Sequence, residues 1–285
     1  MNREKGGGLV NFGNSCYMNS IIQCLYSIVP FLYYFLNINR LYLNDIAKEM
    51  AAVLTELYGE NSLASLINLK RKLGANYSNF EEQDSHEFLI HLFDLLHDEQ
   101  KSVPSIIHNL FQGEHKIVIY CQKCHYISSF LEKFTCLSLP IPQSNTRLTL
   151  DNLLKKFYSI ESIEFDCPRC KRNEKIVKQT FIYRLPIVLI IHFVRFEFKH
   201  KKINKRCDFI EFPLANLRLD ELYGQYKVYN LCSVSNHFGD ISSGHYTSFC
   251  KRMTTWHKVD DDRLIELPET EIKTPEAYIL FYKSY

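Results

Sequence analysis

No uninterrupted apolar stretch in this chain reaches the eighteen or so residues that a membrane-spanning helix requires. The candidates Phe31–Leu36 and Ile187–Phe193 are too short. A dominant charge is missing as well. The 34 Lys and Arg stand against 32 Asp and Glu, a net +2, which argues against a surface built for nucleic acid. The local basic cluster Lys199–Arg206 reads as a solvated loop. At the start, Met1-Asn2-Arg3-Glu4-Lys5 runs into glycines and not into a hydrophobic segment, so a secretory signal is not expected. The ten cysteines are then expected in a reducing compartment, cytoplasmic or nuclear, where metal binding or catalysis is commoner than disulfides. Repeats, low-complexity tracts and linkers between autonomous domains are lacking too. What the chain does have is apolar material. It is 46% hydrophobic and 14% aromatic over 285 positions, enough for a soluble protein of two or three lobes.

Hydrophobic periodicity divides the chain. Apolar residues at helical spacing predict helices over Cys16–Val29, Leu43–Leu57 and Asp84–His97, the last with Phe88, Leu89, Leu92, Phe93 and Leu96 on one stripe. From Gly113 onward the pattern changes to short β-type runs, His115–Tyr120 and Tyr126–Leu131, and a short helix is expected over Leu150–Phe157. Strand-like runs rich in β-branched and aromatic residues follow at Lys175–Tyr183, Ile187–Phe196, Tyr226–Val234, His245–Lys251 and Trp256–Val259. A helical lobe, a β-rich middle and a larger sheet make an α+β chain.

Three patterns carry chemistry. Cys16 follows the turn formers Gly13 and Asn14 and opens a stretch in which Met18, Ile21, Ile22 and Leu25 share one helical face. With Asn14 or Ser15 as the cap, the thiol sits at a helix N-terminus, where unpaired N–H groups favour a thiolate. A sulfur nucleophile is one reading and a buried structural cysteine the other.

Cys121-Gln122-Lys123-Cys124 and Cys167-Pro168-Arg169-Cys170 are two CxxC pairs. Two knuckles of this kind supply the tetrahedral sulfur set that zinc prefers, with no open position for water, so a structural site is expected over a redox CxxC. The residues Phe130–Phe157 between the pairs would leave that site as an insertion.

A cysteine nucleophile needs a base, and His245 leads an alternating run that can pair with Trp256–Val259 across a turn at Arg252–Thr255. If Lys251 faces Trp256, Thr247 faces Asp260 and His245 lies diagonally on the same face. Asp260 would then orient the imidazole, whereas a slip of one residue favours Asp261 and a solvated turn remains the bland alternative.

Together these residues resemble the ubiquitin-specific protease family of papain-like cysteine peptidases. Gly8-Leu9 and Asn11–Ser20 match its Cys box, and Gln83-Asp84-Ser85-His86-Glu87-Phe88-Leu89 matches a second motif. His237, Gly239, Gly244-His245-Tyr246, Trp256 and Asp260-Asp261 match its His box. Leu185-Pro186, Arg195-Phe196 and Phe212-Pro213 fall in the family's order, and the resemblance runs from Gly8 to Tyr282.

It implies one catalytic domain over residues 1–285. The helical thumb would take about 1–105, zinc-ribbon fingers 106–180 and a β-sheet palm 181–285. It implies Cys16 as nucleophile, His245 as base and acid, Asp260 as orienter with Asp261 assisting, and Asn11 as oxyanion donor. Gln83, Asp84, Glu87, His237, Gly244 and Tyr246 would line the substrate's path, with Asp84 and Glu87 toward an arginine of a basic tail. Turn formation at Asn11 and helix capping by Asp84 are the structural alternatives. Glu82 departs from the family's usual Gln. One structural zinc on Cys121, Cys124, Cys167 and Cys170 is implied. The implied substrates are ubiquitin and ubiquitinated proteins, cleaved by a monomer without nucleic-acid or membrane partners. A protease for another ubiquitin-like modifier, or an inactive ubiquitin-binding module, are the competing readings. The segments Phe198–Cys207 and His237–Ser243 correspond to loops that partly cover the cleft in relatives.

Overall fold

The computed structural model describes residues 6–39, 43, 45–59, 64–78, 81–98, 105–144, 147–199, 202–240 and 243–285. Two parts of the expected cleft-covering loops, 200–201 and 241–242, lie outside the described residues. Helices come first: α1 (Cys16–Tyr26), α2 (Val29–Asn37), α3 (Asp45–Gly59), α4 (Ala64–Lys72), α5 (Ala75–Ser78), α6 (Ser85–Asp98) and α7 (Ile106–Phe111). Then follow β1 (Gly113–Cys121), β2 (Ile127–Phe134), β3 (Leu137–Pro140), β4 (Leu148–Thr149), α8 (Leu150–Phe157), β5 (Glu161–Cys167) and β6 (Arg172–Arg184). The remainder is strand: β7 (Val188–Val194), β8 (Phe196–Lys199), β9 (Lys202–Lys205), β10 (Ile210–Glu211), β11 (Leu217–Asp220) and β12 (Tyr226–Gly239). It ends with β13 (Gly244–Arg252), β14 (Thr255–Asp260), β15 (Arg263–Leu267) and β16 (Ala277–Ser284). The chain is α+β, as expected.

The first helix is shorter than its periodicity suggests. It ends at Tyr26, and α2 starts at Val29, bent by 91° from it. Pro30 explains the break. It has no N–H to give and its ring would clash with the carbonyl four residues back, whereas at the first turn of a new helix it costs nothing. Every residue of α1 is buried, including the polar Asn19, Ser20 and Gln23, so it is a core helix and not a surface one. Among the described residues no single helix is long and apolar enough to cross a membrane.

The large sheet runs β15-β14-β13-β12-β16-β7-β3, with β11 also on β12. Alternation along its strands divides two cores. Val188 and Ile190 of β7, with Cys250, Ile279 and Phe281, face the thumb helices. Leu189 and Ile191, with Phe249, Leu280 and Tyr282, face α8 and the loops behind. A central strand buried on both faces reads as an unbroken apolar run, which is why residues 188–194 look alike in sequence. α1 is fastened to this sheet through Ser20 Oγ and Ser235 Oγ at 3.0 Å, and by the Cys250 thiol donating to Gln23 O at 3.3 Å.

A separate four-stranded antiparallel sheet, β2-β1-β6-β5, carries both CxxC pairs at its far end. The finger segment is narrower than the expected 106–180. α7 buries Ile106, Ile107, Leu110 and Phe111 in the thumb core, and β3 pairs in parallel with β7 of the large sheet. α8 packs there too, through Leu150, Leu153 and Leu154. So the chain between the two knuckles leaves the fingers only after Phe134 and returns at Glu161.

Candidate active site

The turn before α1 is built by left-handed residues, Gly13 (φ 61°) and Asn14 (φ 58°). Ser15 occupies the cap position but makes no side-chain cap bond. Its hydroxyl accepts the Phe12 N–H at 2.9 Å instead, and its own N–H donates to Asn11 Oδ1 at 2.9 Å. The expected side-chain cap is therefore replaced by a turn that fixes Asn11. Cys16 is the first helical residue and only 5% exposed.

β13 and β14 pair in the anticipated register, Lys251 opposite Trp256 and Ser248 opposite Val259. That register brings Asp260 Oδ1 to 2.7 Å from His245 Nε2. The imidazole is hydrogen-bonded to the Cys16 thiol as well, so sulfur, ring and carboxylate form one chain. The Cys16 bond, opposed by partial burial and reinforced by Asp260, holds the His245 pKa up to about 9. Burial pushes the Asp260 carboxyl up, but His245 and Lys258, whose Nζ is 3.6 Å away, outweigh it and leave the net shift downward. Beside the Cys16 sulfur and the Asp260 carboxylate, the protonated imidazole of His245 is the favoured state.

Asp261 serves a different neighbour. With φ 51° it sits in the left-handed region, one of the few places outside glycine where Asp is tolerated. Its Oδ2 accepts Asn11 Nδ2 at 3.0 Å. Asn11 is thereby held from both ends, oxygen to Ser15 and nitrogen to Asp261.

A cleft of about 290 Å³ opens beside Cys16. One wall is Tyr17, Glu82, Gln83, Asp84 and Glu87 of the helical lobe, the other Phe196, His237, Gly244 and Tyr246 of the sheet. Gly244 has no alternative, because a Cβ there would lie 2.1 Å from His237 Nε2. His237 is buried under it, and burial, with Lys205, Arg195 and His245 nearby, pushes its pKa down to about 4. Glu82 Oε2 accepts the Gly244 N–H at 3.1 Å and joins the two walls. The Asp84 carboxylate is engaged internally. Oδ1 accepts the N–H groups of His86 (2.7 Å) and Glu87 (3.0 Å), and Oδ2 accepts the Tyr278 hydroxyl at 2.5 Å. Helix capping thus occupies Asp84. Gln83 donates to Asn76 O at 3.1 Å, and Glu87 stays exposed at the cleft.

The four knuckle cysteines converge. Cys121 and Cys170 sulfurs are 4.0 Å apart, those of Cys124 and Cys167 3.6 Å, and all four lie within 4.8 Å of one another, placed to hold a metal ion. Both knuckles use the same turn, with a left-handed residue after the second cysteine, His125 (φ 58°) and Lys171 (φ 55°). Sequence reasoning gave no role to two residues near Cys16. Asn19, a polar residue inside an apolar-periodic helix, touches Asp261. Glu82 was noticed only as a departure from a pattern, and its bond to Gly244 depends on the tertiary approach of two lobes.

The model of the family described as Ubiquitin carboxyl-terminal hydrolase matches residues 7–282. The chain is 30% identical over 332 residues to ubiquitin carboxyl-terminal hydrolase 2 of Homo sapiens, covering 97% of this chain and 54% of that protein. It is 27% identical over 346 residues to ubiquitin carboxyl-terminal hydrolase 21 of Homo sapiens, covering 97% and 61%. It therefore spans between half and two thirds of the length of these relatives. Among solved structures, the Ubp8/Sgf11/Sus1/Sgf73 DUB module of SAGA bound to ubiquitin aldehyde superposes with a TM-score of 0.87 at 26% identity. That match covers 100% of this chain and 71% of the other.

Proposed function

Because the chain belongs to the ubiquitin carboxyl-terminal hydrolase family, we propose that it is a thiol-dependent deubiquitinase. It hydrolyses the peptide or isopeptide bond after ubiquitin's C-terminal glycine. The observation that carries this reading is the His245 imidazole held between the Cys16 thiol and Asp260 at the edge of a cleft. The Cys16 thiolate bonds to the glycine carbonyl carbon, and the oxyanion forms near the Cys16 N–H and Asn11 Nδ2. His245 gives its proton to the departing lysine amine as the C–N bond breaks. It then takes a proton from the water that cleaves the thioester and restores the thiolate. Asp260 keeps the ring in place throughout. The exposed carboxylate of Glu87, with Glu82 beside it, suits a basic tail. Both walls of the cleft come from one chain, so the site needs no second copy, and cysteines that form no disulfide suit the cytoplasm or nucleus.

The metal in this reading is zinc, held by Cys121, Cys124, Cys167 and Cys170. Tetrahedral zinc with Zn–S near 2.3 Å sets sulfurs about 3.8 Å apart, and the observed 4.0 and 3.6 Å pairs fit. Four thiolates leave zinc a cross-linking role, away from the chemistry.

Fluorogenic C-terminal amides of ubiquitin and of other modifiers test the function. Turnover of the ubiquitin amide is expected, together with labelling of Cys16 by ubiquitin carrying a C-terminal electrophile. Turnover of another modifier alone, or none, overturns it. The pH profile follows from His245. Catalysis needs its proton, so kcat falls as pH rises through about 9. Folding raises this group from 6.5 to about 9, so its contribution to stability is complete below about pH 6.5 and is lost through about pH 9. In Asp260→Asn the alkaline limb moves to lower pH, because one of the groups that raise His245 has lost its charge. An unmoved limb would remove Asp260 from the role.

A further inference from the structure

Asn19 lies three residues after Cys16 on α1, 2% exposed, and its side-chain amide meets three acceptors on two separate pieces of chain. Nδ2 is 2.8 Å from Asp261 Oδ1, 3.2 Å from Leu9 O and 3.3 Å from Val10 O. Its Oδ1 is buried without a partner among the described residues. A half-satisfied buried amide costs stability, so the donor end is the part that matters here. The backbone of Asp261 is fixed too, since its carbonyl accepts the Leu9 N–H at 2.8 Å. Gly8 lets that segment come close, as a Cβ there would fall 2.4 Å from the Asp262 backbone.

We propose that Asn19 is a positioning residue for the oxyanion site, acting through Asp261 to keep the Asn11 amide with its nitrogen toward the reacting carbonyl. The inference rests on the reading of Cys16 as an acyl-transfer nucleophile. The logic is one of donors and acceptors. A carboxylate only accepts, so the end of Asn11 facing Asp261 Oδ2 must be its NH₂. A carboxylate held at one oxygen alone can swing. Asn19 holds the other oxygen, and among the described residues no cation pairs with Asp261 to do so instead. A misplacement of about 1 Å in a catalytic group can cost about 100-fold, so a single buried bond on the nucleophile's own helix sets the oxyanion donor.

The experiment compares two reactions of the same thiol. Hydrolysis of a ubiquitin C-terminal amide passes through an oxyanion, whereas alkylation of Cys16 by iodoacetamide does not. Asn19→Ala is expected to lower kcat by about tenfold or more and to leave the alkylation rate within about twofold. In the Asn11→Ala background the same substitution lowers kcat little further, since coupled residues are non-additive. Asn19→Ser leaves a smaller cavity and a hydroxyl too short to reach Asp261, and repeats the pattern should the alanine variant not fold. Equal losses in both reactions, additive losses with Asn11→Ala, or an unchanged kcat each overturn the proposal. Failure of the functional reading would appear separately, as no turnover of the ubiquitin amide by the unaltered chain.

Discussion

Cys16→Ala reduces hydrolysis of a ubiquitin C-terminal amide by about 10⁵–10⁶-fold and leaves ubiquitin binding in place. Removing the nucleophile of a catalytic triad elsewhere costs on the order of 10⁶ in kcat. Three other thiols of the same core cannot substitute. Cys24, Cys232 and Cys250 are buried in or against the core that α1 shares with the large sheet, and their sulfurs face Ser233, Phe281 O and Gln23 O rather than the cleft. Alanine at 5% exposure loses one sulfur atom at the edge of the cleft, so the fold and the cleft walls persist. The loss also relieves His245 of the bond that most raises its pKa, so the imidazole of the variant titrates lower, visible in its NMR shift against pH. Residual turnover above about a hundredth of the original, or an imidazole titration that does not move, would remove Cys16 from its role.

Taking the metal from the fingers gives the second large effect, on stability and substrate affinity. The buried core around the knuckles is small: Cys121, Cys167 and Ile176, with five half-buried neighbours packed on it. One buried aliphatic side chain contributes roughly 1.5–3 kcal/mol, whereas structural zinc in finger peptides contributes about 10–16 kcal/mol. A zinc bound there would therefore decide whether that end of the sheet is ordered. Metal analysis is expected to find one zinc per chain. Chelation, or Cys167→Ser, is expected to add a low-temperature unfolding transition and to raise KM for ubiquitin substrates about tenfold or more. The rate of Cys16 alkylation changes little, because Cys16, His245 and Asp260 rest on the core between α1 and the large sheet and not on the fingers. A metal-free chain with the same melting curve would end the structural role.

Much of this was legible before any coordinates. Twin CxxC spacings name four ligands because a knuckle is a local turn, and both knuckles close with the same left-handed residue. The hairpin register followed from a short turn and from alternation, and it delivers Asp260 to His245. Other elements were hidden for physical reasons. α1 was expected to run on to Val29 and ends at Tyr26, and α2, with Pro30 in its first turn, was not anticipated. α4, α5 and α7 were not anticipated, being short helices whose apolar faces only gain meaning against the thumb core. Ser15 looks like a helix cap and serves Phe12 instead, since the backbone before it turns left-handed twice. Asp84 caps its own helix, the structural alternative the sequence offered, while the Tyr278 hydroxyl on its other oxygen comes only from the tertiary fold.

By itself the sequence determined what depends on neighbours along the chain: helix and strand periods, the knuckles, and a thiol placed at the start of a helix. Tertiary structure alone decided what depends on residues far apart in sequence. It put Cys16 against His245, Asp261 between Asn11 and Asn19, and Glu82 against Gly244. Those meetings arise because α1 is buried on β13 and the segment around Leu9 lies on the turn after β14. Hydrogen-bond partners at such distances follow from how the two lobes pack, and packing is a property of the whole core.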